Sequence, residues 1–240
     1  QGLPITVEAY PYGTGSTVLA AAFFSDPEFE TRNGTGYDSV QRVTDGRRFR
    51  DREELLAAQQ EEPSTLVLWH ILDTENNAHH RDLLDMSVLY PGGAIASDAM
   101  PWTTSDGRTY TGDAWPLPDD ATSHPRSAGC FTKFIREWVR ERRAVSLMEG
   151  IRKCALIPAE ILSASTPAMR NKGRLQAGAD ADILVFDFEK LSDRATFSAM
   201  NRPSEGVKHL IVSGQPLISD GVLDVTARPG KPVRRPIAAN

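Results

Sequence analysis

Apolar and polar residues alternate over Ile5-Thr6-Val7-Glu8-Ala9-Tyr10, a period of two that predicts a strand, and Pro11 with the Gly13/Gly15 pair predicts that it feeds a loop. Thr65-Leu66-Val67-Leu68-Trp69-His70-Ile71-Leu72 is almost continuously apolar and β-rich, which predicts a second strand. A third run, Ala94-Ile95-Ala96-Ser97-Asp98, is short and apolar, ends in an acid and breaks at Pro101. A buried parallel strand delivers a carboxylate to the mouth of a barrel in this way. Between these runs, residues 25–63 are polar, with a helix signal over Asp51–Gln60. Asn77–Leu89 carries an imperfect helical stripe of Leu83, Leu84, Met86, Val88 and Leu89, closed by Pro91-Gly92-Gly93.

Downstream of Asp98, residues 102–123 carry Asp, Gly, Thr, Pro and two Trp without any period, the mark of a lid or binding loop rather than of a packed element. Phe131, Phe134, Ile135, Trp138 and Val139 then recur at helical spacing over Gly129–Arg142. Ser146-Leu147-Met148-Glu149 reads as a capping box, and its helix is expected to run through Ile151, Cys154 and Ala155 toward Pro158. From Gly173 the pattern changes to short strands and turns: 181–188, 207–212, a Ser213-Gly214-Gln215 turn, 216–218 and Asp220-Gly221. Two units follow, residues 1–170 and 171–240. The first holds an insertion at about 25–90 and a lid loop at about 102–123.

At 240 residues, 40% apolar and 25% charged, the composition is that of ordinary globular material. A net charge of −5 leaves no basic face for nucleic acid or anionic lipid. The longest apolar run, Val18–Phe24, is far too short to cross a membrane, and no secretory signal precedes it. The two cysteines, Cys130 and Cys154, make neither a disulfide framework nor a zinc ribbon; they fall in helical patterns as small core residues and fit a reducing, cytoplasmic setting.

Few residues can carry chemistry. Asp98 is either a turn-forming acid at a strand end or a catalytic carboxylate. Arg126, behind Pro125 in His124-Pro125-Arg126, can make a planar fork to a carboxylate that lysine cannot match, or can lie in an exposed loop. Ser16 is a compact hydrogen-bonding group beside Gly15, or a helix N-cap before Val18-Leu19-Ala20, and Tyr10 stands at the end of the first strand. His124 reads as a loop-orienting residue. His79 and His80, adjacent on a helix, point too far apart to share one ion easily. A nucleophilic serine is excluded because no Gly-x-Ser-x-Gly elbow exists.

Taken in order, Glu8-Ala9-Tyr10-Pro11-Tyr12-Gly13-Thr14-Gly15-Ser16-Thr17, Ala94 to Pro101, His124 to Gly129 and Gly178-Ala179-Asp180-Ala181-Asp182-Ile183-Leu184-Val185-Phe186-Asp187 resemble the C-terminal half of N-acyl-D-amino-acid deacylases (D-aminoacylases), in the metal-dependent amidohydrolase superfamily. The resemblance runs patchily from about Ile5 to about Arg235. It implies an α/β chain forming the C-terminal part of a (β/α)₈ barrel, with Ile5–Tyr10 its penultimate strand, plus part of a small β-sandwich in which Asp180 and Asp182 set turns. It implies that Asp98 is general base and weak metal ligand, that Arg126 and Ser16 hold the substrate carboxylate, and that Tyr10 lines the pocket.

Family members build their metal site from a His-x-His near the chain start, a Cys or modified Lys, two further His and one Asp. Only the Asp is found here, and a barrel needs roughly 250 residues. With Gln1 in place of an initiator Met, the expectation is a processed C-terminal chain. It would act as a heterodimer with an N-terminal chain that supplies most ligands for one or two Zn²⁺, hydrolysing the amide of a small-molecule N-acyl-(D-)amino acid. The same chemistry on a peptide-like or cyclic amide, or a non-catalytic scaffold subunit, are the alternatives.

Overall fold

Parallel pairing between β1 (Glu8–Ala9) and β5 (Ala94–Ile95) joins the two segments on which the candidate site stands. Glu8 lies opposite Ala94 and Ala9 opposite Ile95, and the ladder continues through Ala94 N–H to Val7 O and Ala96 N–H to Ala9 O, both 3.0 Å. Ala94 and Ile95 are buried on both faces, as their unbroken apolar run requires. The computed structural model describes residue 3 and residues 5–236. Among these, no helix is long and apolar enough to cross a membrane.

The chain between the two parallel strands builds its own sheet. β2 (Thr14–Val18), β3 (Val40–Arg42) and β4 (Leu66–His70) are antiparallel in the order β2-β4-β3. The predicted strand at 65–72 is thus present over Leu66–His70, and the loop expected after Pro11 is short, residues 10–13; Gly15 and Ser16 already lie in β2, with Ser16 opposite Leu68 rather than a helix N-cap. The reason is tertiary. Thr14, Thr17 and Val18 are β-branched, and Gly13 is needed for close approach, since a Cβ there would lie 2.5 Å from Leu72 O. Over this sheet pack Leu19, Phe24, Phe29 of α1 (Phe29–Asn33), Tyr37, Phe49 and Leu55. Leu55 comes from α2 (Arg52–Glu61), whose N-cap Asp51 accepts Glu54 N–H at 2.9 Å.

Helix α3 (Ala78–Val88), capped by Asn77, returns the chain to β5 and buries Leu84 and Val88 against Ile95. The Pro91-Gly92-Gly93 turn between them is held by Lys153, which is 1% exposed and donates to Tyr90 O at 2.7 Å and Gly93 O at 2.9 Å. Segment 102–123 has no helix or strand of its own. Its ends are tied by paired bonds between Thr103 and Thr122, both 2.8 Å.

The amphipathic segment predicted at 129–142 begins three residues earlier. Pro125, at φ −52°, presets the first turn, so α4 (Arg126–Phe134) opens at Arg126 itself and continues as a π segment (Ile135–Glu141). Ser146 accepts Glu149 N–H at 3.2 Å, but the Glu149 carboxylate turns to Arg152 instead of completing the box. The helix it opens, α5 (Leu147–Ile151), runs through a π segment (Arg152–Leu156) into α6 (Ile157–Ser163) and does not stop at Pro158. Widening the turn before a proline relieves its missing N–H, which falls where the hydrogen-bond register changes.

The last strands, β6 (Ile183–Phe186), β7 (Val207–Val212), β8 (Gln215–Ser219) and β9 (Val222–Leu223), form an antiparallel meander. Asp182 accepts Ser213 N–H at 2.8 Å and, with Asp180, pairs Lys172: both acids set turn geometry. A direct consequence of the tight fork between the two N-terminal sheets is that Gly13→Ala must push β2 off Leu72. A loss of about 1–3 kcal/mol in urea unfolding is expected, and an unchanged midpoint would show that the approach is not close.

Candidate active site

Beyond β5 the chain leaves the ladder, and Asp98 adopts φ 46°, a left-handed conformation that a non-glycine residue holds only when its surroundings impose it. What imposes it here is Arg126. Its Nε donates to the Asp98 carbonyl at 2.8 Å, and its Nη2 lies 2.7 Å from Asp98 Oδ2. The Asp98 side chain is 61% exposed, whereas the Arg126 side chain is fully buried. Far from lying in a surface loop, Arg126 is the first residue of α4, with its guanidinium 4.4 Å above the centre of the Tyr10 ring.

Burying a guanidinium is costly unless its donors are met. Arg126 Nη1 has no hydrogen-bond acceptor among the described residues, and Nη2, though close to Asp98 Oδ2, is out of line for a hydrogen bond. Two adjacent nitrogens of one planar group are therefore left as a donor edge. The backbone of Arg126 is fixed separately: its N–H donates to His124 Nδ1 at 2.9 Å, and His124 Nε2 contacts Thr14 O at 2.9 Å. Burial, and then the Arg126 charge, hold His124 neutral, down to about 3. It orients the turn, as its sequence position suggested, and both its ring nitrogens are engaged.

Tyr10 is half-buried; burial pushes its phenol up, partly opposed by Arg126. Its hydroxyl comes to 3.6 Å from the position a Cβ on Gly15 would take. Ser16 Oγ is buried without a partner among the described residues, and no hydrogen bond joins it to Asp98, Arg126 or Tyr10. The structure thus brings Tyr10, Asp98 and Arg126 into contact and leaves Ser16 on the neighbouring strand. Cys130 lies beneath, donating to Ala96 O at 3.3 Å, its thiol pushed up to about 12 by burial.

For a metal, the described residues make up no site on their own: no three His, Cys, Asp or Glu side chains converge. His70, like His124, has both ring nitrogens in hydrogen bonds, His80 Nδ1 accepts Asp73 N–H, and His79 is exposed on α3. Asp98, exposed beyond a strand end, fits as a single carboxylate donor.

Residues 1–218 match the amidohydrolase family. An N-acyl-D-glutamate deacylase of Alcaligenes xylosoxydans xylosoxydans is 35% identical over 119 residues, 50% of this chain and 23% of that protein. An N-acyl-D-aspartate deacylase of the same organism is 36% identical over 115 residues, 48% and 22% of the two chains. The N-acyl-D-glutamate deacylase of Bordetella bronchiseptica, solved with zinc and a phosphonate that mimics the tetrahedral intermediate, matches with a TM-score of 0.65 at 25% identity, over 98% of this chain and 43% of its own. A D-aminoacylase gives the same TM-score at 19% identity over 92% and 41%, a likeness of fold. The chain spans under a quarter of the length of those two curated relatives and about two-fifths of those structures. With nine-tenths of its residues inside the family match and its fold shared with solved deacylases, this α/β chain belongs to the amidohydrolase family.

Proposed function

We propose that this chain is the portion of a zinc-dependent N-acyl-D-amino-acid deacylase that supplies the substrate-carboxylate site and the general base. The observation that carries the reading is the buried Arg126 guanidinium, whose Nη1 and Nη2 lack hydrogen-bond acceptors among the described residues while Nη2 lies 2.7 Å from the exposed Asp98 carboxylate. A carboxylate is the group that matches such a planar pair two bonds at a time. An N-acyl amino acid offers one beside its amide. Tyr10 supports the guanidinium from below, and the Ser16 hydroxyl is a further donor for the same carboxylate.

Asp98 takes the proton of the attacking water and returns it to the leaving amine nitrogen. A substrate carboxylate that draws Arg126 Nη2 toward itself frees the Asp98 carboxylate from its ion pair to accept that proton. Asp98, with ligands from outside this sequence, would hold zinc, which would supply Lewis-acid polarisation of the amide and of the water. The two parallel strands β1 and β5 are too few to close a barrel. The remaining strands, a His-x-His and the other metal ligands come from an N-terminal chain or segment outside this sequence, which also completes the sandwich begun by β6–β9.

Arg126→Lys tests the carboxylate site in the complete protein. A point charge in place of a planar fork should raise KM for N-acetyl-D-glutamate at least about tenfold, with kcat and zinc content little changed. An unaltered KM would assign Arg126 to structure alone. Asp98→Asn keeps size and most hydrogen bonds but removes the base, so kcat should fall by about 10²–10⁴-fold while the fold and the bound zinc persist; turnover equal to the native protein would remove Asp98 from the mechanism.

A further inference from the structure

The hydrogen bonds that reach Arg126 do not end at His124. Gln41 Nε2 donates to Gly46 O at 2.9 Å, which turns its amide so that Oε1 faces His70 Nε2, 2.8 Å away. His70 must therefore carry its proton on Nε2. Burial, with Arg48 nearby, holds this ring neutral, down to about 4, so Nδ1 is an acceptor and takes the Thr14 hydroxyl at 3.0 Å. At the other end His124 Nδ1 accepts the Arg126 N–H, so its proton also sits on Nε2 and is donated to Thr14 O. Gln41, His70, Thr14, His124, Arg126 and Asp98 are thus linked in order: the Thr14 hydroxyl meets His70 and its carbonyl meets His124, while Arg126 donates both from its backbone N–H to His124 and from Nε to Asp98 O.

None of Gln41, His70 and Thr14 is bonded to Asp98, and all three belong to the inserted sheet β2–β4. An apolar core would have served packing alone, because removing both partners of a buried hydrogen bond together is nearly neutral. Directed polar contacts instead fix orientation. His124 is wholly buried and clamped edge-on by Tyr12 at 5.2 Å and Phe197 at 5.3 Å, and Phe197 also meets the His70 ring at 5.5 Å. Resting on the reading of Arg126 as the carboxylate site, we propose that His124 is the positioning residue of that site and that the inserted sheet is its anchor, aiming the guanidinium through Thr14 and His70. The first residue of a helix has a free N–H, and capping it with an imidazole bonded to another sheet ties the helix start to that sheet. A bidentate contact tolerates little misplacement, so the insertion sets substrate affinity without touching substrate.

The test compares, in the complete zinc-loaded protein, an N-acetyl-D-amino acid with an apolar side chain and its α-methyl ester. His124→Phe, which removes both bonds, should raise KM for the acid about tenfold, leave kcat within about twofold, and leave kcat/KM for the ester unchanged. His124→Asn keeps an acceptor at the Nδ1 position and should restore most of the loss. Gln41→Leu, at the far end of the path, should raise KM for the acid about two- to threefold and leaves the helix untouched, so it reports even where His124→Phe fails to fold. Imidazole ¹⁵N shifts should show both rings as neutral Nε2–H tautomers; an Nδ1–H tautomer at either overturns the proposal. Equal loss on acid and ester for all variants also overturns it, making His124 a residue of stability only. If Arg126→Lys raises KM for the acid but His124→Phe and Gln41→Leu do not, positioning fails while the carboxylate site stands. If none of the three raises it, both fail together.

Discussion

Desolvation of one guanidinium is the constraint on which this structure turns. Taking Arg126 out of water costs several kcal/mol in the absence of partners. The fold offsets part of that cost with the carbonyl and the carboxylate of the same residue, Asp98, and the face of the Tyr10 ring. Because one group reaches both ends of Asp98, it also holds that residue left-handed, at a cost of about 1 kcal/mol or more. The exposed carboxylate and the buried cation are thus joined through two contacts to one residue.

Three supports converge on that unit from distant parts of the chain. Parallel pairing of β1 with β5 sets the height at which Asp98 leaves the sheet, and the Lys153 ammonium fixes the turn that starts β5. Helix α4 places Arg126 at its first position, and its continuation packs Phe134, Ile135, Trp138 and Val139 into the cluster that holds Ile95. The inserted sheet reaches the same point through Thr14. A sheet that only packed over its own core would need no more than Phe24, Phe29 and Leu55; this one also holds the half-buried, neutral His70 against Thr14, whose carbonyl meets the buried His124.

Much of this was legible from residue order. The strands at 65–72 and 94–95, the helices capped by Asp51 and Asn77, the amphipathic helix over 129–142 and the C-terminal meander all follow from periodicity and caps, which act over a few residues. Asp98 and Arg126 were recognisable because an acid at the end of an apolar run, and an arginine behind His-Pro, are local patterns. The strand at 14–18 was not legible, since glycines that look like a turn in isolation here allow backbone to approach Leu72 and Trp69, residues more than fifty positions away. Nor was the passage through Pro158, which depends on a change of hydrogen-bond register inside a helix.

Sequence by itself determined the α/β character, the family motifs and the identities of the groups able to carry charge and protons. Tertiary structure alone decided that Asp98 and Arg126 meet, that Arg126 is buried with Nη1 and Nη2 lacking hydrogen-bond acceptors among the described residues, that Lys153 caps a turn sixty residues upstream, and that His70 and His124 both bond Thr14. The physical reason is range. Propensity and periodicity are properties of neighbouring residues, whereas desolvation, ion pairing and the direction of a buried hydrogen bond depend on which distant surfaces the folded chain brings together.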